Sequence, residues 1–176
     1  MKMLAQTKDT PLNKFTLFPS QELPHTVANL LERIGSRQSI LYKLLSSTLT
    51  LPEKKLSISL KMFLDESANR LRFFMLTFDE IVVQASLLKN YDVPLIKNLF
   101  FSFPSFISTS NALAEIFSVI NLLCDMFTQL KNNIENSEVP NFLKDFIQKS
   151  IIFYKQTHVV LNGYLRTFKV QKSDIR

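Results

Sequence analysis

"LKMFLDESANRLRFFMLTFDEIVVQASLL", residues 60–88, is the stretch that decides the fold. Within it Leu60, Leu64, Ser67, Leu71, Phe74, Phe78, Ile81, Ala85 and Leu88 recur at alternating steps of four and three without a miss. A repeat of this kind winds one apolar seam along a helix and predicts neighbours that lie nearly parallel or antiparallel to it. Phe63, Phe73, Leu76, Val82 and Leu87 stand beside the seam. They widen the apolar face beyond what one partner helix would cover, which predicts a bundle. The second helix of the chain is therefore expected from about Leu51 to Lys89.

Working outward, Thr50 and Glu53 flank Pro52 and read as a capping box at the start of that helix. Before it, Val27, Leu30, Ile34, Leu41, Leu45 and Thr48 place a first helix between Pro24 and Thr48. Polar Gln38 interrupts its period, and Pro24 suits a first turn. After the second helix, Asp92 can cap a third, with Pro94 in its first turn. That helix must kink or break at Pro104, because proline lacks an N–H and clashes with the preceding turn. Beyond the break, Ile116, Ile120, Leu123, Phe127, Leu130 and Ile134 resume the period.

Ser137 caps a fourth helix with two adjoining seams. One runs Leu143, Phe146, Ser150, Phe153, Thr157, Val160, Tyr164; the other Ile147, Ile151, Tyr154, His158, Leu161, Leu165, Phe168. Four long helices with short links predict an all-α, up-down-up-down antiparallel four-helix bundle, its third helix kinked or broken at Pro104. The bundle domain is expected over 21–170, with 1–20 an extended or flexible N-terminal segment and 171–176 a flexible C-terminal tail.

Composition agrees. Two glycines in 176 residues fall far below the usual roughly 7 per cent, so few tight turns or phosphate loops are expected. Sixteen phenylalanines and no tryptophan predict a core filled with rings. A single cysteine, Cys124, leaves no internal disulfide. The opening MKMLAQTKDT has no apolar signal region, and the uncharged run between Lys97 and Glu115 is interrupted by Pro104. A soluble cytoplasmic protein without a transmembrane segment is the expectation. The net charge of +6 divides into +2 over residues 1–20, +1 over 21–165 and +3 over 166–176. Basic charge sits at the ends and not in a stripe across the body, so nucleic-acid binding is not favoured.

The expected helix lengths do not match. At about 1.5 Å per residue the second helix would span roughly 57 Å and the first roughly 37 Å. If they share the turn at Thr50–Glu53, the second outruns the first at the far end. There the turn into the third helix would place "NLFFSFPSFISTS", residues 98–110. Phe100, Phe101, Phe103 and Phe106 would then lack a wall, and Phe15 and Phe18 from residues 12–20 could cover them or act as a lid. These six phenylalanines are the candidate partner- or ligand-binding residues.

No catalytic chemistry is expected. A di-metal bundle site needs Glu-x-x-His pairs, and the two histidines, His25 and His158, are not in that setting. Glycine-rich nucleotide loops, CxxC and GxSxG are missing. A Cys124–His158 nucleophile pair would lack its third orienting group. Cys124 reads as a small apolar filler, and His158 as a hydrogen-bonded core histidine. No metal or cofactor is expected. The reading is a non-enzymatic interaction protein: an adaptor, chaperone-like or assembly subunit that binds a protein partner or itself through its Phe-rich end. One alternative is a sensor or carrier of an apolar small molecule enclosed in the bundle. A second is nucleic-acid or anionic-membrane binding through the basic termini.

Overall fold

A computed structural model describes residues 25–51, 56–87, 108–135 and 141–173. They form four helices: α1 (His25–Leu49), α2 (Ile58–Leu87), α3 (Thr109–Ile134) and α4 (Asn141–Ser173). The apolar seams became the core. Leu60, Leu64, Leu71, Phe78 and Ile81 of α2 are buried, as are Ile116, Ile120, Leu123, Phe127, Leu130 and Ile134 of α3. On α1 the seam from Val27 to Thr48 is buried together with Gln38, the polar residue that interrupts it.

Ring contacts give the directions. Phe63 meets Tyr164 and Phe74 meets Phe153 and Phe146, so α2 and α4 run antiparallel. Phe117 meets His158 and Phe127 meets Phe146, so α3 and α4 are antiparallel too. It follows that α2 and α3 are parallel. α1 turns back into α2 through a tight turn at Thr50 and runs antiparallel to it. Of the four lateral pairs, α1–α2, α1–α3 and α3–α4 are close, while α2 and α4 stand furthest apart. The structure is thus an all-α antiparallel four-helix bundle in which every lateral neighbour runs antiparallel.

The chain order differs from simple alternation. It goes up, down, down, up, because α2 and α3 occupy one diagonal and share a direction. Leu87 and Thr109 therefore lie at opposite ends of the bundle, and no short turn can join them. The sequence reading assumed such a turn because it started the third helix at Asp92. The described α3 begins at Thr109, past the break expected at Pro104, and Ser108 in extended conformation (φ −150°, ψ 154°) accepts the Asn111 N–H as its N-cap. Asp92 and Pro104 lie outside the described residues.

Two other boundaries moved. α2 starts at Ile58, where Ser57 Oγ accepts the Leu60 N–H at 3.3 Å. Thr50 does not open this helix; its hydroxyl donates to the Ser47 carbonyl at 2.7 Å and closes α1. The proposed partner in the capping box, Glu53, lies outside the described residues, as does Ser137. α4 continues to Ser173, past the expected end at 170.

Two contacts cross the diagonals at mid-height. Phe78 of α2 packs edge-on against Phe127 of α3, with centroids 6.3 Å apart. Gln38 Nε2 of α1 donates to Tyr154 Oη of α4 at 3.0 Å. Tyr154 also stacks on Phe127 at 5.6 Å. The centre of the bundle is thus a ring cluster with one embedded polar pair. Buried Thr48, Ser150 and Thr157 donate to carbonyls one turn back in their own helices and need no partner across the core.

Candidate interaction face on α2 and α4

The heptad that buries one side of α2 leaves the opposite side to solvent, and that side is not wholly polar. Ile58, Met62, Phe73 and Leu76 are 80, 68, 68 and 59 per cent exposed. With about 100° per residue, all four fall within one outward sector of the helix, centred near Asn69. The sequence reading expected Phe73 and Leu76 to widen the buried face; they lie on the opposite pole. Phe63, partly buried, does widen the core side.

α4 contributes the flank. Its seam residue Val160 was expected in the core but is 41 per cent exposed, and Phe142 is 48 per cent exposed. Both lie on the side of α4 that faces α2. Because these two helices stand apart, rings bridge them: Phe74 stacks on Phe153 at 5.0 Å, and Phe63 lies 6.0 Å from Tyr164. Arg70 places its guanidinium 5.1 Å above the Phe153 ring and roofs this seam at mid-height. Phe73 continues the ring series outward from Phe74, at 6.2 Å.

Charge along the outward strip of α2 is segregated. Asp65 and Glu66 precede Asn69, and Arg70 and Arg72 follow it. Asn69 Nδ2 donates back to Asp65 Oδ2 at 3.4 Å. In order, the strip reads apolar, acidic, amide, basic, apolar, and it ends on exposed Glu80 in the same sector.

Cys124 and His158, the pair set aside in the sequence analysis, lie on neighbouring helices α3 and α4. Burial, and then the charge of neighbouring Asp125, push the Cys124 thiol up despite an opposing effect of Lys155. That is the reverse of an activated thiolate. His158 is stacked on Phe117 at 4.4 Å. Among the described residues no group of three His, Cys, Asp or Glu side chains could hold a metal ion. By length and composition α3 could cross a bilayer; here its buried residues face the bundle interior.

Phe15, Phe18, Phe100, Phe101, Phe103 and Phe106, the site residues expected from sequence, all lie outside the described residues. The geometry that motivated them has changed, since α3 begins at the end of the bundle where α1 finishes. Reasoning from the seam missed the α2 strip. The signal that could have found it is the phase of Met62, Phe73 and Leu76, which lies nearly opposite Leu64, Leu71 and Phe78. No protein-family model, curated protein or solved structure matches this chain.

Proposed function

We propose that this chain is a non-enzymatic helical interaction protein that docks another protein chain along the outward face of α2, with Phe142 and Val160 of α4 at its edge. The observation that carries the reading is the exposure of Ile58, Met62, Phe73 and Leu76 in one sector of one helix. Singly exposed apolar residues are ordinary; two exposed apolar pairs in one sector, Ile58 with Met62 and Phe73 with Leu76, are more than scatter and support a docking role. With the α4 flank the face offers on the order of 600 Å² of apolar surface. Each partner in a stable complex gives up roughly 800 Å² in all. The charged belt around Asn69 supplies polar area for the remainder.

A photo-crosslinking residue placed at position 73, with exposed position 33 of α1 as control, tests this. We expect a protein adduct of defined mass from position 73 and none from position 33. Replacing Met62 and Leu76 with Glu should remove it while helicity is retained. Equal yields at both positions, or none at 73, would overturn the reading.

A further inference from the structure

We propose that the outward side of α1, over its second half, is the docking surface for residues 98–108 of the same chain, the phenylalanine-rich run that leads into α3. The exposure of α1 carries this first. From Ser36 to Leu49 every residue is buried or half-buried, and none of the other three helices has a run of that length without an exposed residue. Glu32, Ser39 and Lys43 share the outward phase of α1, opposite Leu41 and Leu45, since each residue turns the helix by about 100°. Glu32 is exposed, whereas Ser39 and Lys43 are half-buried. A lysine at the outward pole of a corner helix is ordinarily exposed. α2 and α3 lie beside α1, and α4 lies across the core from it. The cover on that pole is therefore another part of the chain.

The order of the helices says which part. The end of α2 and the start of α3 lie on one diagonal at opposite ends of the bundle, and residues 88–108 join them. A connection runs over the surface, so this one passes α1 or α4. The outward side of α4 is exposed at Ile152, Lys155 and Val159, and its side toward α2 is exposed at Phe142 and Val160. The path over α1 is the one that matches. Thr109 lies level with the start of α2, and so with Leu49 at the end of α1. The residues just before Thr109 are those that reach the second half of α1. Residues 1–24 join α1 at its other end, where Asn29, Glu32 and Arg33 are exposed.

The chemistry of the two surfaces agrees. Ser36, Ser39, Ser46 and Ser47 keep the outward side of α1 low, which leaves room for large rings. Ser47 donates to the Lys43 carbonyl at 2.6 Å, so its hydroxyl needs no partner in the cover. Ile40, Tyr42 and Leu49 flank the strip and are only partly buried. Residues 98–108 carry Phe100, Phe101, Phe103 and Phe106 and no charge. These four phenylalanines then meet α1 of their own chain and not a partner.

A photo-crosslinking residue at position 43 of the full chain, with positions 32 and 159 as controls, decides the path. Circular dichroism checks that each variant is folded, and digestion with mass spectrometry maps each product. Position 43 should join residues 98–108 of its own chain, with a yield independent of protein concentration, and positions 32 and 159 should not. A second measurement avoids the bulky probe. In a Cys124→Ser background, the thiol of Ser39→Cys should react with maleimide at least about tenfold more slowly than that of Glu32→Cys, and adding Phe101→Ser with Phe103→Ser should remove the difference.

Products from position 43 into residues 1–24 would give the cover to the N-terminal segment and overturn the proposal. Products with a second copy, products from position 159 into residues 98–108, no product at position 43, or equal thiol rates before the phenylalanines are changed overturn it as well. None of these results touches the α2 face, which stands or falls on the crosslink at position 73.

Discussion

Tyr154 and Gln38 put one hydrogen bond into the centre of an apolar core, and they do so incompletely: Gln38 Oε1 is buried without a partner among the described residues. A buried polar atom left unpaired costs about 1–3 kcal/mol. Tyr154→Phe strands the rest of the amide and should destabilise by a similar about 1–3 kcal/mol in urea unfolding. Adding Gln38→Leu should recover most or all of that loss, because replacing both partners removes the unpaired groups. A double variant as unstable as the single one would contradict this account. Burial raises the Tyr154 phenol above its ordinary range, with the Gln38 bond opposing it. Below about pH 10 the phenol is protonated in both folded and unfolded chains and makes no pH-dependent difference. Above that, the unfolded chain loses the proton and the folded one keeps it, so stability falls as pH rises, by about 1.4 kcal/mol per unit. The fall measured for wild type between pH 10 and 12 should therefore exceed that of Tyr154→Phe. At this scale the seam residues were legible from spacing alone. The Gln38–Tyr154 pair was not, because a break in one helix's period does not say which helix supplies the partner.

Each helix has an inner and an outer life, and α2 shows the difference most clearly. Leu71 and Phe73 are two residues apart and face opposite ways, one in the core and one in solvent. Leu71→Ala should cost about 2–5 kcal/mol, the usual range for emptying a core position. Phe73→Ser should change unfolding free energy by less than about 0.5 kcal/mol in the monomer. If Phe73→Ser destabilises the isolated chain as much as Leu71→Ala, the strip belongs to the core and the docking face is wrong. α4 has a matching test in Gly163. A Cβ built there meets nothing within 4 Å, so no packing reason keeps it glycine. Gly163→Ala should stabilise by roughly 0.5–1 kcal/mol from helix propensity alone. Helix existence and seam phase followed from the heptads. Helix starts were less legible, because Thr50 and Ser57 are both sound caps by composition. Only the fold shows that Thr50 turns back to Ser47 and that Ser57 opens α2.

At the scale of the molecule, what the sequence left open was the order of the rods. A heptad says that neighbours are nearly parallel or antiparallel, and it says nothing of which helices are neighbours. The direction came instead from Phe63 with Tyr164, Phe74 with Phe153, and Phe117 with His158. These contacts place Thr109 level with the start of α2 and about 26 residues of helix, or roughly 40 Å, from the level of Leu87. The 21 residues from 88 to 108 can reach that far, at up to about 3.3–3.6 Å each. Spin labels at positions 87 and 109 should accordingly be separated by roughly 40 Å, whereas simple alternation would put them at one end, within about 15 Å. Shortening residues 88–108 to five should abolish cooperative unfolding, since five residues extend at most about 18 Å. Simple alternation would tolerate the same deletion, as connections of two to eight residues join neighbouring helices in bundles. A short-loop variant that folds to native helicity with the labels close together would reverse the order of α2 and α3, and with it the level of every ring contact that defines the α2–α4 face.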